Sequence, residues 1–207
     1  MPADHSIKNL IFDLGGVILD LSVDTTLRSF ASLSGLDEST VKKRFITSPE
    51  FELYEKGEIN DAAFRDFVRN LYSTDAADDA LDACWNAMLL GFPPAKLALL
   101  ETLKSRYNVY LLSNTNNIHL NFINNNLLTR IQCESLDDYF HKAYYSHRMK
   151  KRKPDAEIFQ QVLEENNLAA EYSLFLDDNL ANVEGAAKLG IKIIHVTDPD
   201  IVYTYFS

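Results

Sequence analysis

Four polar side chains stand where apolar runs of this chain stop, and a lysine stands between them. Asp13 closes Ile11-Phe12 and precedes Leu14-Gly15-Gly16. Ser113 closes Leu111-Leu112 and precedes Asn114-Thr115. Asp177 and Asp178 close Leu174-Phe175-Leu176, and Lys153 lies between Arg152 and Pro154. Together they offer a nucleophilic carboxylate, hydroxyl and amide donors, a cation, and further carboxylates for a metal. That inventory is the one phosphoryl transfer uses.

Each residue also has a plainer reading. A carboxylate at a strand end can attack phosphorus and split a hydrolysis into two steps. Asp13 is equally a common residue type for a turn ahead of Gly15-Gly16. The two glycines let backbone N–H groups approach an anion closely. Asp177 and Asp178 suit a hard cation, or one of them caps the helix expected near Leu180. Ser113 and the backbone around Asn114 would bind phosphoryl oxygens, with capping of the segment after Asn116 as the other role. Lys153 would neutralise charge on the phosphoryl group and on Asp13, or be an ordinary solvated lysine. His119 reaches the same crevice or is a satisfied helix histidine. Trp85, Phe45 and Tyr54 contact a substrate or fill a core. Three carboxylates at one place repel strongly, by about 4 kcal/mol for a pair 4 Å apart at an effective dielectric of about 20. A divalent cation removes that cost, and oxygen-only donors suit Mg²⁺.

These side chains need a frame that brings strand ends together. Short apolar runs at 7–12, 108–112, 143–145, 173–176 and 191–196 read as buried strands, and 156–165 and 180–189 as helices between them. Such alternation predicts a doubly wound α/β fold, a parallel sheet with helices on both faces, whose strand C-termini converge on one crevice. The stretch from 21 to 91 departs from it. Phe51, Tyr54, Ile59, Phe64, Phe67, Val68 and Leu71 fall near helical spacing, 76–90 reads as one more amphipathic helix, and no strand is apparent. The expectation is an α/β core of residues 1–20 and 92–207 with a helical insertion, 21–91, after the first strand.

The chain has 207 residues, 46% hydrophobic and 24% charged, with a formal net charge of −10. That balance is typical of a soluble globular protein. The charge argues against nucleic acid or an anionic membrane as partner, so any phosphate site must be local. The basic run His147 to Lys153 reads as a solvated loop with local attraction for an anion. Cys84 and Cys133 have no metal-type spacing and read as buried thiols. No apolar leader is evident, and a cytoplasmic monomer or homodimer acting on a small phosphorylated metabolite is the expectation.

The four motifs, in this order over residues 7–196, resemble the haloacid dehalogenase superfamily, mostly Mg²⁺-dependent phosphatases with an aspartate nucleophile. The likeness is closest to the branch of bacterial α-D-glucose-1-phosphate phosphatases, which share Asp13-Leu14-Gly15, Ser113-Asn114-Thr115-Asn116 and Arg152-Lys153-Pro154. The resemblance implies that Asp13 forms an aspartyl phosphate, and that Asp13, Asp178 and the Gly15 carbonyl bind Mg²⁺. Asp177 would bind it directly or through water. Asn182 stands where many relatives have another acid and would act only indirectly. The insertion would form a cap over the site. Most of these phosphatases carry an acid two residues after the nucleophile, where this chain has Gly15. A positioned acid–base contributes about 10²–10⁴ in rate, so its loss favours an acidic leaving group such as that of an aldose 1-phosphate. The alternatives are a silent phosphometabolite-binding protein, a phosphotransferase or mutase, and a dehalogenase.

Overall fold

In the computed structural model, which describes residues 6–131, 133 and 135–206, five parallel strands form the central sheet. In chain order the strands are β1 (Asn9–Phe12), β2 (Asp20–Leu21), β3 (Leu89–Gly91), β4 (Asn108–Ser113), β5 (Lys142–Tyr145), β6 (Ser173–Asp177) and β7 (Lys192–His195). The large sheet runs β5-β4-β1-β6-β7, with β1 at its centre. Residues of β1 and β6 are buried throughout, as strands covered on both faces must be.

Side-chain alternation along the strands splits the core in two. Leu10, Phe12, Val109, Leu111, Leu174 and Leu176 face one way. Ile11, Tyr110, Leu112 and Phe175 face the other, where they meet Ile158, Phe159 and Val162 of one helix and Val183 and Ala186 of another. The register pairs Phe12 with both Leu111 and Leu176. Asp13, Ser113 and Asp177 therefore emerge from three adjacent strands at the same edge. The chain fills one side of β1 with β4 and β5 and the other with β6 and β7, so this edge is a topological switch point, where open α/β sheets bind ligands.

Five helices lie between β2 and β3: α1 (Val23–Ser34), α2 (Glu38–Thr47), α3 (Glu50–Glu55), α4 (Asp61–Tyr72) and α5 (Asp78–Asn86). Side-chain caps start two of them, Asp37 accepting from Thr40 N and Asn60 from Ala63 N. Phe51, Tyr54, Phe64 and Trp85 pack ring against ring, Tyr54 on Phe64 at 4.0 Å and Phe51 on Trp85 at 5.5 Å between centroids. This aromatic cluster is continuous with the core on one face of the sheet.

Two expectations fail here. The stretch 76–90 is not one helix, because α5 ends at Asn86 and Leu89–Gly91 becomes β3. The ends of the 21–91 stretch, where no strand is expected, form a strand pair, β2 antiparallel to β3, with Ser22 N donating to Met88 O at 2.9 Å. Both strands are too short to show a period; their pairing joins segments some seventy residues apart.

The remaining α-helices among the described residues are α6 (Pro94–Lys104), α7 (Asn117–Phe122), α8 (Ser146–Met149), α9 (Ala156–Glu165), α10 (Leu180–Ala187) and α11 (Ile201–Phe206). Cys84 and Cys133 are free thiols, but half-buried rather than buried. Among the described residues no helix is long and apolar enough to cross a membrane.

Candidate active site

Lys153 holds the centre of the site. Its ammonium, wholly buried, donates to Asp13 Oδ1 at 2.5 Å, Asp177 Oδ2 at 2.7 Å and the Leu112 carbonyl at 2.8 Å. An ammonium has three protons, and all three are used. The structure thus ties Lys153 to the carboxylates; it leaves no donor for a second anion until one of these bonds is exchanged. The backbone of Lys153 is fixed with equal care. Asn114 Oδ1 accepts from Lys153 N and Asn114 Nδ2 donates to Lys153 O, each at 2.9 Å. The Asn114 side chain therefore positions the lysine and is not itself free for phosphate.

The plainer roles fall to neighbouring residues. Asn179, not Asp177 or Asp178, caps α10 by accepting from Ala181 N. Asn116, not Ser113, caps α7 by accepting from His119 N. Ser113 is buried, lines the cavity and has no side-chain hydrogen bond among the described residues. Asp13 shows 8% exposure, and its Oδ2 has no hydrogen bond among the described residues.

Oxygen atoms of Asp13, Asp177 and Asp178 lie within 4.8 Å of one another. They are not equivalent. Asp177 is fully buried, and both its oxygens are occupied: Oδ1 accepts from Asn179 N at 2.8 Å and Asn182 Nδ2 at 3.0 Å, Oδ2 from Lys153 and again Asn182 at 3.0 Å. Asn182 at this position thus donates to Asp177, which an acid could not do when ionised. Asp178 is exposed at the cavity wall. Gly16, at φ +73°, passes so close to it that a Cβ there would sit 2.3 Å from Asp178 Oδ2. Only glycine tolerates both that conformation and that approach.

Three carboxylates face one ammonium, and the imbalance shows in their proton affinities. Burial, the largest effect, pushes Asp13 up to about 7; Lys153 opposes the rise, and Asp177 and Asp178 add to it. Asp178 is also raised, first by desolvation and then by Asp177. Burial alone would lower Lys153, but attraction to Asp13 and Asp177 outweighs it and keeps the lysine charged. The surplus negative charge and the all-oxygen donor set fit a hard divalent cation.

The cavity above these groups, of about 250 Å³, is bounded from the opposite side by Leu21, Val23, Phe45, Glu55, Trp85, Met88 and Leu89. Phe45 and Trp85 reach it, whereas Tyr54 does not; its hydroxyl donates to Asp61 at 2.7 Å and accepts from Ile118 N at 3.3 Å. Leu21 covers Gly15, where a Cβ would meet its Cδ2 at 3.3 Å. His119 lines the cavity but is fully committed. Its Nε2 faces the Trp85 carbonyl at 3.1 Å and must carry the proton, so Nδ1 accepts from Asn116 Nδ2 at 3.2 Å. Burial pushes it down to about 4, so the ring is neutral, and its one proton is held against the Trp85 carbonyl rather than offered to a leaving group.

The basic run is not a solvated loop. Arg152 donates to Glu55 Oε2 at 3.0 and 3.2 Å and pairs with Glu52 at 3.3 Å; Lys150 donates to the Gly57 carbonyl. Both bind the helical stretch between β2 and β3 to the sheet edge. Glu55 escaped the sequence reading because it ends a short helix of ordinary aromatic spacing, and only the tertiary packing turns it inward.

Comparison with known proteins gives a consistent answer. A D-ribitol-5-phosphate phosphatase of Bacteroides thetaiotaomicron is 28% identical over 90% of both chains. A GMP/IMP nucleotidase of Escherichia coli is 26% identical over 95% of this chain and 86% of its own. A crystal structure of a haloacid dehalogenase-family enzyme from B. thetaiotaomicron, an aspartate-to-alanine variant with magnesium and inorganic phosphate, superposes with a TM-score of 0.85. It is 36% identical and spans 91% of this chain and 93% of its own. Residues 7–190 match the haloacid dehalogenase-like hydrolase profile, and the chain belongs to that family.

Proposed function

We propose that the protein hydrolyses a small phosphate monoester, the ester of a sugar or polyol, through an aspartyl phosphate on Asp13. The observation that carries this reading is the 2.5 Å contact between Asp13 and the buried Lys153 on the floor of a cavity that Ser113 also lines. Lys153 holds Oδ1 and leaves Oδ2 for attack on phosphorus. The P–O bond to the leaving oxygen breaks as the Asp13–phosphorus bond forms; water then releases phosphate and restores the carboxylate. Ser113, with the turn at Gly15 and Gly16, would take the phosphoryl oxygens.

Asp13, Asp178 and the Gly15 carbonyl would hold Mg²⁺, which when bound balances the carboxylates and polarises the phosphoryl group. Asp177 would not ligate it, because both its oxygens already serve Lys153, Asn179 and Asn182. Residues 21–91 act as a cap that excludes water from the cavity.

The substrate class is supported by the ribitol phosphate and nucleotide phosphatases among the relatives, all with hydroxyl-bearing leaving groups. Preference for an anomeric phosphate rests on Gly15 alone. A panel of phosphate esters, assayed with and without Mg²⁺, tests the proposal. Mg²⁺-dependent release of phosphate from sugar or polyol esters is expected. No release from any ester would leave the alternative of a silent phosphometabolite-binding protein, which Gly15 favours.

A further inference from the structure

The cavity has two unlike halves. Its floor carries the carboxylates, Ser113 and Lys153; its opposite wall is apolar, built from Leu21, Phe45, Trp85, Met88 and Leu89, with one exception. Among the described residues of the 21–91 stretch, Glu55 is the only charged side chain that lines it. Glu55 ends α3, where the short helix turns at Lys56. It is held there by Arg152, which donates to Oε2 twice, from Nε at 3.2 Å and from the guanidinium terminus at 3.0 Å. Arg152 immediately precedes Lys153, so the position of Glu55 is set from the same backbone that sets the catalytic cation. Oε1 receives no hydrogen bond among the described residues, and the side chain retains 27% exposure. A carboxylate oxygen left free on an otherwise apolar wall lacks a donor, and a sugar or polyol offers O–H donors.

We infer that Glu55 is the residue that recognises hydroxyl groups on the leaving half of the substrate, accepting hydrogen bonds at Oε1 while Arg152 anchors Oε2. The inference rests on the phosphatase reading above and deepens it. The floor, with Ser113, Lys153 and the carboxylates that would hold Mg²⁺, takes the phosphoryl end of the ester, which leaves its hydroxyls toward Glu55 on the opposite wall. Burial, the larger effect, pushes the Glu55 carboxyl up, and Arg152 opposes that rise while fixing the position of Oε2.

Glu55→Gln, which keeps the shape and one oxygen acceptor, tests this with three substrates in saturating Mg²⁺. For a polyol phosphate such as ribitol 5-phosphate, kcat/KM should fall about tenfold or more, the value of a hydrogen bond to a charged group. For p-nitrophenyl phosphate and n-butyl phosphate, which have no hydroxyl on the leaving group, kcat/KM should stay within about twofold. Glu52→Gln, which removes the other partner of Arg152 but lies outside the cavity, should alter none of the three. An equal fall on all three esters in Glu55→Gln would overturn the inference, because Glu55 would then merely hold Arg152 and the cap. A fall on the butyl ester but not the aryl ester would also overturn it, since that pattern marks a proton donor. Unchanged hydrolysis of the polyol ester would do the same. If the unaltered protein hydrolyses none of the esters, the phosphatase reading itself has failed, which is a separate result.

Discussion

Lys153 Nζ lies 2.5 Å from Asp13 Oδ1, although the two residues are 140 positions apart in the chain. Both are buried, and the ammonium is shared with Asp177. A buried charge without its partner is strongly unfavourable, so the pair fixes each other's location. In the proposed reaction, the pairing also keeps one oxygen of Asp13 occupied and the other available.

Asp13→Asn should therefore abolish turnover while leaving the fold intact, since the two side chains are nearly isosteric. A loss of at least about 10³-fold in kcat is expected for removal of a nucleophile. Beryllium fluoride should be trapped by the unaltered protein and not by the variant. Near-normal kcat in Asp13→Asn would reduce Asp13 to a turn residue.

Chelation of divalent metal with EDTA should remove activity, and Mg²⁺ should restore it. Because the ion would bind only where Asp13 and Asp178 are brought together, saturating Mg²⁺ stabilises the folded state by about 2.7 kcal/mol at a hundred times its Kd. For a chain of this size that corresponds to a rise of roughly 5–10 °C in Tm. Asp178→Asn should abolish both the rise and the activity, whereas Asp177→Asn should lose activity through Lys153 yet retain part of the rise. Full activity in metal-free buffer would contradict the metal's role.

Gly16→Ala places a methyl group 2.3 Å from Asp178 Oδ2, in a backbone conformation at φ +73° that alanine resists. The carboxylate must swing away or the turn must unwind. Destabilisation of about 1–3 kcal/mol is expected from the strained backbone, with loss of Mg²⁺ binding by titration calorimetry. Wild-type affinity in this variant would show that Asp178 does not need its present position.

His119 makes stability depend on pH. Burial lowers it from 6.5 to about 4 in the folded protein, so the unfolded chain takes up this proton first as pH falls. The stability it contributes is complete above about pH 6.5 and is lost progressively down to pH 4. Between pH 7 and pH 5 the loss should be about 2 kcal/mol, at 1.36 kcal/mol per unit. Urea denaturation of His119→Gln should show a pH dependence shallower by that amount, because glutamine cannot titrate. Parallel curves for the two proteins would mean that His119 is not buried as a neutral ring.

With glycine at position 15 and His119 committed to Trp85 and Asn116, neither position supplies a proton to the leaving oxygen. Single-turnover rates should therefore rise steeply with leaving-group acidity, aryl and anomeric phosphates reacting much faster than primary alkyl esters. Each tenfold step is about 1.4 kcal/mol of barrier. His119→Gln should leave that slope unchanged. A flat dependence, with chemistry shown to be rate-limiting, would reveal a donor elsewhere and remove the physical case for anomeric substrates.

The core strands and the order of the chemical residues were legible in the chain itself. Buried parallel strands are short continuous apolar runs, and the polar residues that end them are visible as breaks in those runs, whether they serve the crevice or a turn. Local pattern sufficed for Ile11-Phe12 before Asp13 and for Leu174-Phe175-Leu176 before Asp177, because a strand's burial is written in consecutive residues. The stretch from 21 to 91 was legible only as helical spacing. Its base, the pairing of Asp20–Leu21 with Leu89–Gly91, has too few residues for any period and exists because distant segments meet. The site divides in the same way. Residue type marked Asp13, Ser113, Lys153, Asp177 and Asp178, but it could not assign their partners. That Asp177 is saturated by Lys153, Asn179 and Asn182, that Asn114 grips the Lys153 backbone, and that the one proton of His119 is held against the Trp85 carbonyl were all decided by packing. Glu55 left no mark in the sequence. Its role depends on where the end of α3 comes to rest against Arg152, and hydrogen bonds are short-range, directional and indifferent to distance along the chain.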